Sequence, residues 1–282
     1  MAVARTSSRT LSQPLLLKVN LRSEVAMRNL TFLALLAITL ASPAAAQFVA
    51  PGGAIPAVAN IPGENNTFWR SDVSILNVSP AATSVQLFLF PELKNSGPAF
   101  EPQISEPIPI PGNGQLTLAN VVTGVFGLRN VKGGIQIISG GAPLVLASRT
   151  YTNDPEGGSY GLNVYGALVV SETAWVANVE HDGFFRTNVG VFVPAGASQG
   201  NPVTFTITIN DDDGTEIASG SIMFDQVGLI QKSLEFFGVE DPLLDGSVTF
   251  VSSDPTVIWY AYATVIDNVT GDSVYRPAIG RQ

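Results

Sequence analysis

The chain has 282 residues, of which 45% are hydrophobic and 13% are charged, and its formal net charge is −9. This much apolar material excludes a disordered chain and is enough for about two domains of ordinary size. Residues 1–46 carry five of the 14 basic side chains and one of the 23 acidic ones, so the remainder has a net charge of −13. Such a surface repels phosphate groups, and we expect it to bind neither nucleic acid nor anionic membranes. The sequence has no cysteine, which excludes disulfides, thiolate metal sites and a cysteine nucleophile.

The N-terminal segment has the pattern of a bacterial secretory signal peptide over residues 27–46. Arg28 supplies the positive charge, residues 30–40 form the apolar stretch, and three alanines ending at Ala46 mark the cleavage site. The apolar stretch is too short to span a membrane, and no later stretch is long enough. We interpret residues 1–26 as a mis-annotated leader and expect a secreted or periplasmic protein.

Two long segments of the chain resemble each other at an offset of about 115 residues. FWRSDVSILNVS begins at Phe68 and FFRTNVGVFVPA at Phe184, and TNDPEGGSY (152–160) aligns with DNVTGDSVY (267–275). A repeat of this length indicates a duplicated domain rather than a short solenoid unit. The sequence therefore predicts one module over residues 47–172 and a second over 173–282, which we expect to pack together around Trp175.

Short strands and turns are predicted along both modules. In module one, TSVQLFLF, GGIQII and APLVLASRTY have strand character; in module two, VTFTITIN alternates threonine with apolar residues, as a half-buried strand does. DDDG predicts a hairpin turn, LIQKSLEFFG a helical segment, and TVIWYAYATVI, apolar on both faces, a central strand. The predicted fold is all-β, with two tandem Ig-like β-sandwich domains related by internal duplication, each with one short helical segment.

Three motifs resemble a group of secreted bacterial proteins built from tandem Ig-like β-sandwich modules. They are the strand from Thr67 to Asp72, the hairpin from Ser148 to Gly161, and the hairpin from Tyr262 to Asp272 that is followed by Pro277 and Ala278. The resemblance covers most of residues 60–280. It implies export and this fold, and it assigns no catalytic residues. A proline-rich insertion at residues 97–112 distinguishes module one from module two.

Candidate ligand-binding residues are aromatic or basic. Arg70 and Arg186 occupy the same place in both modules, which fits an anion or sugar clamp and, more simply, a structural arginine that ties a strand to a loop. Among the tryptophans, Trp259 lies in an apolar strand and is expected in the core, which leaves Trp69 as the best candidate for an exposed aromatic residue. The other candidates are Arg149, Tyr160 and Tyr275.

No catalytic or metal-binding constellation is predicted. His181 is the only histidine and lies in a predicted turn, without a nucleophile motif to serve. The aspartates before Gly214 do not have the spacing of an EF-hand, although calcium held by Asp254, Asp267 or Asp272 remains an alternative. We therefore predict no catalytic residues, no metal and no cofactor.

Three hypotheses of function follow. The first is an exported non-enzymatic protein for interaction, adhesion or scaffolding at the cell surface, with a protein or polysaccharide partner. The alternative is a carbohydrate-binding module, in which Trp69, Tyr160 and Tyr275 contact the sugar. The second alternative is a hydrolase accessory domain.

Overall fold

The computed structural model of the chain describes residues 49–63, 67–93, 101–154, 157–167, 170, 172–198, 200–240 and 242–280. The predicted leader and signal peptide lie outside these residues. The described residues belong to one compact unit of the chain, which extends from Gln47 to Gln282.

Module one contains nine strands and one short helix in its described part. They are β1 (Gly52–Pro62), β2 (Phe68–Asn77), β3 (Thr83–Pro91), β4 (Gln103–Ile104), β5 (Ile108–Ile110), β6 (Gln115–Leu118), α1 (Val121–Gly124), β7 (Val131–Ser139), β8 (Leu144–Asn153) and β9 (Ser159–Tyr165). The strands pair antiparallel in the order β4-β3-β7-β1-β2-β8-β9, with β5 also on β3 and β6 also on β2.

The sheet of module one bends into two layers at β1. This strand pairs with β7 from Gly52 to Asn60, with a bulge between Ile55 and Val58, and with β2 only from Asn60 to Pro62. A bulge bends a strand and increases its twist, which lets one strand join both layers. The layer of β3, β7 and β1 and the layer of β6, β2, β8 and β9 enclose a core to which both contribute, including Ile55, Leu87, Ile137, Val73, Leu146 and Val164.

Module two is a sandwich of two separate antiparallel sheets. Its described elements are β10 (Thr173–His181), β11 (Phe185–Ala195), β12 (Val203–Asn210), β13 (Glu216–Phe224), β14 (Gly228–Ser233), a 3-10 helix (Leu234–Phe237), β15 (Leu243–Ser252), β16 (Ile258–Asp267), β17 (Ser273–Pro277) and β18 (Ile279–Gly280). One sheet has the order β13-β12-β15-β10-β18 and the other β14-β11-β16-β17. The apolar residues of β12 all face the core between them while its threonines face away, as the alternation predicts.

Strand order is the same in the two modules. In each of them the first strand (β1 or β10) lies beside the strand that follows the helical segment (β7 or β15). The second strand, β2 in module one and β11 in module two, has two neighbours. One is the strand before the helical segment (β6 or β14), and the other is the first strand of the last hairpin (β8 or β16). The prediction of an all-β chain built from β-sandwiches, each with one short helical segment, is confirmed.

The helical segment of module two is shorter than its periodicity predicts. Residues 228–233 form β14, because all six of them pair with the stretch of β11 from Asn188 to Val193. Helical structure begins only at Leu234, and it ends at Gly238, whose φ of 95° is a left-handed conformation that favours glycine.

Candidate functional site: a cleft between the modules

The two modules meet in an apolar cluster that we call the inter-module core: Ala54, Phe90, Phe192, Leu229, Tyr260 and Tyr262. The ring of Phe192 lies edge-on to Phe90, with centroids 5.5 Å apart, and is stacked on Tyr260 at 5.9 Å. Backbone pairing adds to this contact, since the amide of Leu93 donates to the carbonyl of Leu229 at 2.8 Å. The modules are therefore joined by packed aromatic rings and not merely by a linker.

An open cleft of about 450 Å³ lies beside this core, with walls from both modules. Module one contributes residues from β1, β2, β7, β8 and β9, and module two contributes residues from β11, β14, β16, β17 and the 3-10 helix. A volume of this size is within the range of about 300 to 1,000 Å³ that small-molecule sites occupy.

Trp69 forms an aromatic part of the module-one wall. It is half-buried near the start of β2, whereas its neighbour Phe68 points outward and is exposed, as alternation along a strand requires. The ring of Tyr160 lies edge-on to Trp69 at a centroid distance of 6.0 Å. Tyr160 also approaches Gly271, in the last hairpin of module two, so these two aromatic residues lie where the modules meet.

Arg186 brings its guanidinium to the module-two wall. One of its terminal nitrogens donates to Oδ1 of Asn268 at 2.6 Å. The turn that carries Asn268 is ordered by Asp267, whose carboxylate accepts the amides of Val269 at 2.7 Å and Thr270 at 3.0 Å. These hydrogen bonds, above all that from Thr270, lower the pKa of Asp267.

Arg70 makes the corresponding contact in module one but does not line the cleft. Its guanidinium donates to Oδ1 of Asn153 and lies 4.9 Å from the ring centroid of Tyr151. Arg149 lies 4.8 Å from the same ring and donates to the carbonyl and hydroxyl oxygens of Ser159, at 3.3 and 2.8 Å. The structure thus places Arg70 and Arg149 together around Tyr151, whereas Trp69 and Arg186 line the cleft.

Tyr275 packs against the inter-module core rather than presenting its hydroxyl to a ligand. Its ring is stacked on Tyr262, with centroids 5.4 Å apart, and its hydroxyl oxygen is buried. Burial raises the pKa of Tyr275 and of Tyr262, and raises that of Tyr260 to about 12. All three side chains are therefore neutral at physiological pH.

The remaining polar groups of the cleft are mostly amides and hydroxyls, and none of them is among the site residues predicted from the sequence. They are Asn188, Gln231, Ser233, Thr150, Thr264 and Ser273, with Lys132 and Glu235 as the charged groups besides Arg186. Lys132 is paired with Glu92 at 2.8 Å, and Gln231 accepts the hydroxyl of Tyr262 at 3.1 Å. No local motif marks these residues, because they become neighbours only when the modules pack.

A second hollow, of about 470 Å³, lies at the edge of module two and is lined by Trp175, Arg276 and Ile279 among others. Trp175 is 44% exposed there. The expectation that the modules pack around Trp175 is wrong: this residue pairs with Ile279 of β18 at the outer edge of its sheet, and its side chain points away from the core. Trp175 is therefore more accessible than Trp69, and Trp259 is fully buried as predicted.

The histidine and the turn aspartates have local partners. Nε2 of His181 lies 3.7 Å from a carboxylate oxygen of Glu235, and its Nδ1 has no hydrogen-bond partner among the described residues. Asp211 accepts the amide of Thr215 at 2.8 Å, and Asp254 accepts the amide of Thr256 at 2.8 Å and its hydroxyl at 2.7 Å. The bonds to Thr256 lower the pKa of Asp254. Within the described part of the chain, no three potential metal ligands cluster.

The fold and the cleft define a two-module β-sandwich protein. No protein-family model matches the chain, and no curated protein matches it in sequence. Among the described residues, no helix is long and apolar enough to cross a membrane.

Solved structures resemble the chain only remotely. The Thermotoga maritima 1070 protein matches 40% of this chain and 96% of its own, with 8% identity and a TM-score of 0.33. A Bacteroides uniformis β-glucuronidase matches 75% of this chain and 24% of its own, with 10% identity and a TM-score of 0.19. A putative β-galactosidase from Bacteroides fragilis matches 82% and 33%, with 11% identity and a TM-score of 0.19. The chain thus spans a third or less of these two enzymes, and likenesses this low say nothing about its ligand or activity.

Proposed function

We propose that the protein is a non-enzymatic binding protein that acts outside the cytoplasm, and that it holds a neutral saccharide in the cleft between its modules. The observation that carries this proposal is the composition of the cleft, in which Trp69 faces a set of amides and hydroxyls. A sugar ring presents an apolar face to an aromatic ring and hydroxyls to amides, so this combination suits it. Such a protein would serve adhesion or scaffolding at the cell surface.

The charges of the cleft favour a neutral ligand over an acidic one. Both cations of the described lining are already engaged, Lys132 with Glu92 and Arg186 with Asn268. An acidic ligand would have to compete with these partners for its counter-charge, and desolvating a charge without a new partner is costly. Neutral hydroxyls can instead share the amide groups of Asn188 and Gln231.

The same lining supports a binding role rather than hydrolysis. Glycoside hydrolysis commonly requires two carboxyl groups, roughly 5 to 9.5 Å apart, on either side of the scissile bond. Glu235 is the single carboxylate among the described residues of the cleft. His181 contacts that glutamate on one side and lacks, within the described chain, the carboxylate on Nδ1 that orients the base of a catalytic triad.

Glycan retention by matched tryptophan variants tests the proposal. We expect the purified chain to be retained on at least one neutral polysaccharide of a panel, and Trp69→Ala to weaken that binding about tenfold, which corresponds to about 1.4 kcal/mol. Trp175→Ala, which alters the most exposed tryptophan outside the cleft, is the control and should bind as the parent does. Gln231→Ala tests the opposite wall without changing a large side chain.

Three outcomes would contradict the proposal. Retention on no neutral glycan would remove the saccharide. Loss of binding in Trp175→Ala but not in Trp69→Ala would move the site to the second hollow. Release of reducing ends from a bound glycan by the parent protein would overturn the non-enzymatic role. Thermal unfolding of each variant shows whether a loss of binding comes from a loss of folded protein.

A further inference from the structure

The outermost strand of module two, β13, has an open edge. It pairs with β12 on one side, and none of the described strands pairs with its other side. A strand edge carries a row of unpaired amide and carbonyl groups, which makes it a template for another strand unless the protein protects it. Natural edges are commonly protected by proline, by lysine, by a bulge or by being very short.

Of these protections, β13 (EIASGSIMF) has only a bulge, which lies at Ile217 near its first residue. It contains no proline and no lysine, and its one charged residue is Glu216 at its first position. The register shift in its pairing with β12 lies at the Glu216 end, so the ladder is regular from Ala218 to Phe224. Beyond this bulge, the strand offers a regular edge without a charged side chain, from Ala218 to Phe224.

The corresponding edge of module one is protected. The strands on that side are β4 and β5, which have two and three residues and pair with β3. Pro102, Pro107 and Pro109 interrupt this stretch, and proline has no amide hydrogen to donate to a further strand. The two modules therefore share a strand order but differ in whether this edge can be extended.

The exposed side chains of β13 fit a second copy of the same strand. Ile217 is 41% and Met223 is 60% exposed, and both lie on the outer face with Ser219 and Ser221 between them. Two antiparallel copies related by a two-fold axis at Gly220 place Ser219 of each opposite Ser221 of the other, and they bring Ile217, which lies at the bulge, toward Met223. Contacts between apolar side chains on neighbouring strands stabilise a sheet.

This register has two further properties that favour it. It pairs residues 218–222 of the two copies, which lie beyond the bulge, and it keeps the buried Ala218 and Ile222 on the core side of both sheets. The paired residues carry no charge, so that no two like charges face each other within this stretch. A register moved by one position along each strand leaves Ile217 opposite Ser221 and loses both apolar pairs.

We propose that β13 is a self-association surface, through which two copies of the chain pair antiparallel about Gly220 and join their five-stranded sheets into one. The interface is isologous, as two-fold symmetry requires, so it closes at a dimer and does not propagate. Ten strands in one sheet are within the range that open sheets reach.

Charge at the ends of the interface makes the association dependent on salt. Each end brings Asp225 of one copy toward the turn with Asp211, Asp212 and Asp213 of the other, because these residues flank β13. Their repulsion is screened as ionic strength rises, and the screening length is about 10 Å at 0.1 M. We therefore expect the dimer fraction to rise with salt as well as with protein concentration.

Cysteine cross-linking tests the register. Because the sequence has no native cysteine, any disulfide must come from the introduced residues. Chains with Ser219→Cys should form disulfides with chains that carry Ser221→Cys when the two are mixed and mildly oxidised. Each variant alone should cross-link far less, because position 219 of one copy faces position 221 of the other, and only one of these two positions then carries a cysteine. Efficient cross-linking of Ser219→Cys with itself would overturn the proposed register.

Charge variants test the association itself by sedimentation equilibrium. In the double variant Ser219→Lys/Ser221→Lys, lysines face lysines across the interface, and we expect a monomer. The double variant Ser219→Glu/Ser221→Glu should be a monomer for the same reason. An equimolar mixture of the lysine and glutamate variants should form a dimer again, because opposite charges then face each other. Thr206→Lys is the matched control, since it adds a charge to the same sheet face on the inner strand β12 and should leave the dimer intact. A parent chain that is monomeric at all concentrations and salt levels, or a dimer that the lysine variant leaves unchanged, would overturn the proposal.

Discussion

At the scale of single residues, the recurring arginine is part of a repeated set of ties within each module. Arg70 donates to Asn153 and Arg186 donates to Asn268, and each of these asparagines belongs to the hairpin that begins with the neighbouring strand. The residue after each arginine has a buried hydroxyl group that accepts a hydrogen bond from a backbone amide. Ser71 accepts from the amide of Ala59 at 2.8 Å, and Thr187 accepts from the amide of Glu180 at 3.2 Å. We interpret both arginines as structural, although Arg186 also borders the cleft.

The strength of the arginine–asparagine tie can be measured in both modules. We expect Asn268→Ala to lower the free energy of unfolding by about 1 to 2 kcal/mol, since it removes the acceptor of a charge-assisted hydrogen bond. Asn153→Ala should cost less, because the bond from Arg70 is exposed to water and that from Arg186 is partly buried. Urea denaturation of Asn268→Ala, Arg186→Met and the double variant gives the coupling energy directly. A coupling near zero would show that the contact does not stabilise the fold.

At the scale of elements, the close approach of β7 to β11 depends on a residue without a side chain. A Cβ on Gly134 would lie 2.6 Å from ring atoms of Phe192, well inside van der Waals contact. Phe192 is fully buried and is held by Phe90 and Tyr260, so its ring has little room to move. Gly134 therefore lets a strand of module one pass directly against the ring of Phe192 in the inter-module core.

Adding a methyl group at this position should weaken the contact between the modules. We expect Gly134→Ala to lower the free energy of unfolding by about 1 to 3 kcal/mol through overpacking. Gly140→Ala is the control, since the nearest atom to its added Cβ is 4.0 Å away and the residue is exposed, and we expect a change within about 0.5 kcal/mol. Calorimetry of the two variants measures both changes in stability. Equal stability in both would mean that the strand and ring adjust without cost.

At the scale of the whole molecule, three tyrosines connect the stability of the joined modules to pH. Tyr260 and Tyr262 belong to the inter-module core and Tyr275 packs against it. Each has a pKa raised by burial, whereas in the unfolded chain all three ionise near the ordinary value of 10.0. The folded form therefore retains protons that the unfolded form has lost whenever the pH exceeds about 10.

The sign of this linkage predicts alkaline unfolding. The contribution of the buried tyrosines to the free energy of unfolding is fully present below pH 10. It is lost as the pH rises through about 12, which is the pKa of Tyr260 in the folded chain. We expect tyrosinate absorbance to appear together with the loss of native circular dichroism in this window. Tyr262→Phe should make the loss of stability with pH less steep, while Tyr165→Phe, at an exposed position, should not. Ionisation of all tyrosines near pH 10 with the fold intact would contradict the prediction.

Residues whose partners are close in the chain were predicted well. The alternation in β12, the turn at Asp211 to Gly214 and the apolar strand β16 all appear where the sequence places them, since each depends on local pattern. β14 was misassigned as part of a helix, because the apolar spacing of Ile230 and Leu234 fits both structures and only pairing with β11 decides between them. Trp175 was misplaced for a similar reason: which face of a strand is covered depends on what packs there.

The sequence by itself determines an acidic chain without cysteine whose short alternating strands form β-sandwiches, because composition and period-two alternation are properties of neighbouring residues. It also identifies Trp69 and Arg186 as candidates. Only the tertiary structure decides that these two face one cleft, that Arg70 and Arg149 instead flank Tyr151, and that β13 lies open at the edge of its sheet. Each of these facts depends on contacts between residues far apart in the chain, and such contacts leave no periodic trace in the sequence.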